Sequence, residues 1–130
     1  MITDFRDLKF VVIEKELNMR NIIMKILRDN GAHRLEAFPS VVAAIPFLRE
    51  FPVEFIICEM EQTPVDGVGL AHALRTGKVK VNAKTPLLLV SGSKDMDKIK
   101  EAIAAGANNI LVKPFSAVDL TKRVKMTLGR

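Results

Sequence analysis

Five short apolar runs divide the chain, and each is followed by apolar residues spaced for a helix. Residues 8–13, 53–58 and 86–91 are near-continuous stretches of valine, isoleucine, leucine and phenylalanine. Such runs suit strands covered on both faces. Residues 33–38 form a weaker strand pattern and residues 109–112 a short one. After the first run, Met19, Ile22, Ile23, Ile26 and Leu27 fall on one helical stripe, with Asn18 placed to cap it and Asn30-Gly31 to end it. Pro39-Ser40 opens a second helix carrying Val42, Ile45 and Leu48, and Pro46 inside it predicts a kink or an early stop. Residues 67–77 read as a short third helix and 78–84 as a basic connection. Ser93 or Asp95 caps a fourth helix with Met96, Ile99, Ala102 and Ile103 inward and Gly106 at its end. Ser116, with Asp119 three residues on, is a capping box for a last helix carrying Leu120, Val124 and Leu128.

Strands alternating with helices predict an α/β fold: a single doubly wound, five-stranded parallel sheet with helices on both faces. No internal repeat, low-complexity segment or interior linker interrupts the pattern, so one domain spanning 1–130 is expected. With 48% hydrophobic residues and neither Trp nor Tyr, its core is aliphatic and built around phenylalanine. The single cysteine, Cys58, excludes an intramolecular disulfide and suits a small core residue. No run approaches the roughly 18 apolar residues of a membrane helix, and Met1-Ile2-Thr3-Asp4 is unlike the start of a signal peptide. The expected compartment is the cytoplasm. The net charge of +5 is uneven, with +4 on residues 94–130 and +1 on residues 1–93. Without interleaved aromatics, the basic third reads as solvated lysines on amphipathic helices and not as a nucleic-acid face.

Doubly wound sheets gather their sites at the carboxyl ends of the strands. The third run stops at Cys58, Glu59 follows it, and Pro64 and Asp66-Gly67 signal a turn. The same edge collects Glu14-Lys15-Glu16 after the first strand, Ser91 at the end of the fourth and Lys113 after the fifth. Little else competes. His33 and His72 lack partners at zinc spacing, and Gly67-Val68-Gly69 lacks the third glycine of a dinucleotide fingerprint. No Ser-His-Asp or Cys-His set is visible. The chain is not expected to be an enzyme.

In this order and at these spacings the residues resemble the response-regulator receiver domain, over the whole chain. The matching features are the acidic site at Glu14 followed by Met19-Arg20, Glu59 seven residues before Asp66-Gly67, Ser91-Gly92, and Lys113-Pro114-Phe115. The resemblance implies strand order 2-1-3-4-5 and a cis Lys113–Pro114 peptide. It also implies an aspartate after strand 3 that accepts a phosphoryl group and two acids after strand 1 that hold Mg²⁺. A Ser or Thr and a Lys would then grip the phosphoryl oxygens. In this chain Glu59 stands at the acceptor position, Glu14 and Lys15 at the acidic pair, and Ser91 and Lys113 at the phosphoryl contacts. Pro64 falls one residue later than the usual proline, and Ile110 stands where some receivers carry an aromatic switch residue.

Charge and reach make these departures disabling. Glu14 and Glu59 are opposed by Lys15 and Lys113, so the site has about zero net charge to attract Mg²⁺, which favours carboxylates in strict octahedral geometry. No cofactor is expected; Glu14, Glu16 and Glu59 are the only candidate ligands for a metal. The extra methylene of Glu59 also displaces its carboxylate by roughly 1–1.5 Å, enough to spoil in-line transfer. The expected function is a degenerate, phosphorylation-independent pseudo-receiver acting as a protein-interaction module in two-component or phosphorelay signalling. Its partner, whether a sensor kinase, an output domain, a target protein or a second copy, is expected on the helix 4–strand 5–helix 5 face. That face carries Lys94, Lys98, Lys100, Lys122, Arg123 and Lys125. Two alternatives stand beside this reading: a working receiver drawing on Glu14 and Glu16 for Mg²⁺, and a flavodoxin-like small-molecule binder. Glu59 paired with Lys113 either mimics a phosphorylated state or forms an inert ion-pair cluster.

Overall fold

The computed structural model describes residues 5–129, so Met1-Ile2-Thr3-Asp4 lies outside the described residues. Five strands, β1 (Lys9–Ile13), β2 (Arg34–Phe38), β3 (Phe55–Glu59), β4 (Leu87–Ser91) and β5 (Asn109–Val112), form a parallel sheet in the order β2-β1-β3-β4-β5. They alternate with α1 (Leu17–Asp29), α2 (Val41–Glu50), α3 (Gly67–Arg75), α4 (Met96–Ala105) and α5 (Ala117–Thr127). The doubly wound fold is the one the hydrophobic pattern predicts.

Successive residues along each strand serve opposite cores. Val11, Ile13, Ile56, Cys58, Leu87, Leu89 and Ile110 share one with residues of α2, α3 and α4. Phe10, Val12, Phe55, Ile57, Leu88, Val90 and Leu111 share the other with residues of α1 and α5. Because both faces are apolar, the central strands show no polar alternation. This sheet holds the carboxyl-end residues in fixed positions.

Several helix details differ from the sequence reading. Glu16, and not Asn18, is the N-cap of α1, and Ile22 is half exposed while Ile23, Ile26 and Leu27 are buried. Ile22 lies at the edge of the apolar arc, where the helix turns toward solvent. In α2, Val41, Ala44 and Leu48 are buried and Val42 is exposed. Ser40 caps this helix, which runs through Pro46 to Glu50. Pro46 leaves the carbonyl of Val42 without its helical donor on the solvent side, where water is available. In α4 only Ala102 is buried, and Met96 and Ile103 are exposed. A helix at the edge of a sheet buries a narrower stripe than one over its centre. Asp95 caps it, and Ser93 Oγ accepts from the Asp95 N–H at 3.1 Å. The Ser116–Asp119 capping box is present in full.

The basic connection contains a 3-10 turn, Lys80–Asn82, whose last residue is buried. Asn82 Nδ2 donates to Leu48 O at 2.7 Å and to Phe51 O at 3.0 Å. Its Oδ1 accepts from Val53 N–H at 2.9 Å and from the Thr85 hydroxyl at 3.0 Å. One amide thus satisfies the backbone where α2 turns into β3.

The turn signalled by Pro64 and Asp66-Gly67 leads into α3 at Gly67, where the helix was expected to begin: Asp66 Oδ1 accepts from Gly69 N–H at 2.8 Å, and Gly67 is buried. A Cβ on Gly67 would come within 2.7 Å of Leu89 Cδ2. At the opposite end of the sheet, Gly106 ends α4 with φ +117°. Arg75 lies against it, donating to Gly106 O at 3.0 Å, Ala83 O at 3.1 Å and Asn108 Oδ1 at 2.8 Å. A Cβ at Gly106 would collide with Arg75 Cγ. Gly106→Ala therefore combines a left-handed backbone with a clash and is expected to cost about 1–3 kcal/mol in urea melts.

Candidate functional site

The carboxyl ends of four strands assemble the site. Glu14 directly follows β1, Glu59 ends β3, Ser91 ends β4 and Lys113 directly follows β5. Glu14 and Glu59 are nearly enclosed, with side chains 1% and 6% exposed. Lys113 Nζ bridges them, 3.2 Å from Glu14 Oε1 and 3.5 Å from Glu59 Oε2. Backbone donors take the other oxygens: Glu16 N–H reaches Glu14 Oε2 at 3.0 Å, and Lys15 N–H reaches Glu59 Oε1 at 3.4 Å. The Lys15 ammonium is more exposed, 3.8 Å from Glu59 Oε2 and 3.5 Å from Glu61 O. Arg20 closes the β1 end by donating to Glu14 O at 2.9 Å.

Burial pushes the Glu59 carboxyl above its ordinary range, and the neighbouring charge of Glu14 adds to the push. Lys113 and the amide and ammonium of Lys15 pull the other way without cancelling it. For Lys113, burial opposes the charge, but the hydrogen bond and charge of Glu14, with those of Glu59, outweigh burial and raise its pKa. Beneath them the Cys58 thiol is driven well up, by burial first and then by Glu59 and Glu14.

Ser91 has a different anionic partner. Its hydroxyl donates to Glu61 Oε2 at 2.6 Å, and Glu61 Oε1 accepts from Gly92 N–H at 2.9 Å. Glu61 is a site residue that the sequence reading left out. Among the described residues it adds a third carboxylate to Glu14 and Glu59, opposite the ammonium groups of Lys15 and Lys113 and the guanidinium of Arg20. Gln62 was also missed: its Nε2 donates to Glu59 O at 2.8 Å, and its Oε1 accepts from Val41 N–H at 2.9 Å. It ties the loop to the start of α2. Polar residues two and three positions past a strand end look like ordinary solvent contacts in a sequence.

Other predicted residues stand apart from this cluster. Glu16 is exposed at the start of α1 and offers the crevice its backbone N–H. Ile110 is buried in β5, on the side of the core shared with α2, α3 and α4. Arg123, read as a surface cation, turns its guanidinium onto Asn109 Oδ1 and Ile110 O. The Lys113–Pro114 peptide is cis, and Thr63–Pro64 is cis as well. Among the described residues, no three His, Cys, Asp or Glu side chains are grouped to hold a metal ion, and no helix is long and apolar enough to cross a membrane.

Residues 10–125 match the response regulator receiver domain family. The chain belongs to that family. It is 28% identical over 123 residues to the chemotaxis protein CheY of Pseudomonas aeruginosa, covering 95% of this chain and 98% of that one. Its fold superposes on Vibrio cholerae chemotaxis protein CheY4 with a TM-score of 0.83 at 22% identity, over 92% of this chain and 98% of that one. The receiver domain of a Pseudomonas aeruginosa sensor histidine kinase, which has a magnesium ion coordinated in its active-site cleft, superposes with a TM-score of 0.82 at 16% identity, over 95% and 98% of the two chains. Receiver domains are modules of two-component signalling that work through protein partners, and this chain is one of them.

Proposed function

We propose that this receiver domain works without phosphorylation, as a protein-interaction module held in one conformation by its own ion pairs. The observation that carries this reading is the engagement of Glu59 on both carboxylate oxygens, by the Lys15 N–H on one and by the Lys113 and Lys15 ammonium groups on the other. In-line attack on a phosphorus centre would require Glu59 to leave these partners. Lys113 supplies, between Glu14 and Glu59, the positive charge that a divalent ion would otherwise bring.

These residues fit Mg²⁺ poorly. The ion demands near-octahedral oxygen ligands, whereas the oxygens of Glu14 and Glu59 already face lysine ammonium groups or backbone N–H donors. Glu61, the third carboxylate, is turned to Ser91 and Gly92. Glu16 is exposed, which disfavours a metal site built on Glu14 and Glu16.

The partner surface in this reading is the α4–β5–α5 face. There Lys94, Lys98, Lys100 and Lys122 are exposed, and so are the apolar side chains of Met96, Ile103, Val118 and Met126. An acidic partner surface with apolar contacts suits that composition.

Intact-mass measurement after incubation with acetyl phosphate and Mg²⁺ tests the proposal, and the expected result is no change. A stoichiometric phosphoryl gain mapping to Glu59 would overturn it. Glu59→Asp and Lys15→Asp together are expected to restore labelling beyond what either does alone, because groups sharing one site do not act additively.

A further inference from the structure

The Ser91–Gly92 turn holds a carboxylate in a way that none of the ion pairs explains. Glu61 presents one oxygen to the Ser91 hydroxyl and the other to the Gly92 amide, at 2.6 and 2.9 Å. Among the described residues no lysine, arginine or histidine forms an ion pair with this carboxylate. Neutral donors fixed on a rigid strand end hold it, and Ser91 itself is fully buried. A hydroxyl and an amide converging on a pair of oxygens are the donors that bind an oxyanion.

The resemblance places a phosphoryl contact at Ser91, and we infer that in this chain Glu61 is a built-in occupant of the seat formed by the Ser91 hydroxyl and the Gly92 amide. The seat would accept a tetrahedral oxyanion such as phosphate, and the tethered carboxylate excludes it. The Ser91 hydroxyl has the means to switch. It has one proton, and two acceptors stand within reach: Glu61 Oε2 at 2.6 Å and Ser93 O at 3.1 Å. Its oxygen meanwhile accepts from Ser93 N–H at 3.0 Å. When Glu61 withdraws, the hydroxyl turns to donate its hydrogen bond to Ser93 O or to an incoming oxyanion, and no buried donor is stranded. Glu61 also links the loop after β3 to the loop after β4, so seating and unseating it couples those two loops. The inference rests on the reading of the crevice as self-filled. It concerns anion binding at Gly92, whereas that reading is tested by covalent labelling at Glu59, so the two can fail separately.

The test is a titration with inorganic phosphate, at constant ionic strength and without Mg²⁺, followed by the backbone amide signals of Gly92 and Ser93 in ¹H–¹⁵N spectra. In Glu61→Ala these signals are expected to shift saturably, with phosphate bound at least about tenfold more tightly than in the parent, since a seat filled nine-tenths of the time cuts apparent affinity by that factor. Glu61→Gln, which keeps the side-chain length but loses the charge, should fall between. Adding Ser91→Ala to either variant should abolish the saturable shift. Equal phosphate affinity in the parent and both variants would overturn the inference. So would the absence of saturable binding in both folded variants, or binding that survives Ser91→Ala. If Glu61→Ala does not fold, the Glu61→Gln comparison decides the matter by the same criteria.

Discussion

Lys113→Met is expected to destabilise the domain by about 3–5 kcal/mol at neutral pH, the range for removing one partner of a buried ion pair. The side chains of Glu14 and Glu59 are almost wholly enclosed, and Lys113 is the cation placed between them. Without it the two carboxylates face each other across the crevice. Among the described residues the exposed Lys15 is then the one cation left paired with Glu59, at 3.8 Å, and it is too well solvated to replace the loss. Adding Glu59→Gln should return a large part of the stability, because one buried carboxylate is then left with its backbone donor and no like charge opposite. The double-mutant coupling in urea melts checks this. Additive costs below about 1 kcal/mol would mean that the cluster is a solvated set of charges.

The pH dependence of the variant has a definite sign. Glu59 already titrates above its ordinary value in the folded state. Between the unfolded and folded values the folded protein binds more protons, so this group's contribution weakens stability as pH rises through that window. Removing Lys113, which pulls the Glu59 pKa down, extends the window upward. The deficit of Lys113→Met relative to the parent should therefore shrink on acidification and grow toward pH 8. In the parent, Lys113 titrates above the ordinary lysine value of 10.5, so its own stabilising contribution is complete at neutral pH and fades only in the alkaline range.

Outside the crevice, Asn82→Leu is expected to cost about 3 kcal/mol or more. It strands the Val53 N–H and the carbonyls of Leu48 and Phe51, each costing about 1–3 kcal/mol when left unpaired in the interior. Partial hydration where the site meets the surface keeps the sum below three full penalties. Asn82→Asp is the sharper probe, because size is unchanged. One carboxylate oxygen can still accept from Val53 N–H and Thr85, but the other must face two carbonyl oxygens where an amide had donated. Urea melts of this variant should show a loss comparable to that of Asn82→Leu at pH 7, partly recovered near pH 4 as the carboxyl gains a proton to donate. A pH-independent loss below about 1 kcal/mol would show that the Asn82 amide is dispensable.

The sequence by itself determined the architecture and most of the site. Near-continuous apolar runs demand strands buried on both faces, and chemistry at the carboxyl ends follows from a parallel sheet. That placed Glu14, Lys15, Glu59, Ser91 and Lys113 at one edge, where the structure has all of them. Periodicity was less reliable at the rims of helices. Ile22, Val42, Met96 and Ile103 look like core residues in the chain and are exposed in the fold. How far round a helix the buried stripe extends depends on where that helix sits over the sheet, and spacing does not record it. Only the tertiary structure decided that Ser91 bonds Glu61 and not the Lys113 cluster, that Arg123 serves β5 and not the surface, and that Asn82 is buried. Each of these depends on where a polar side chain ends in space relative to residues 13 to 34 positions away. Local preference sets the backbone on which such a side chain starts; the partners it reaches are set by how the strands and helices come together.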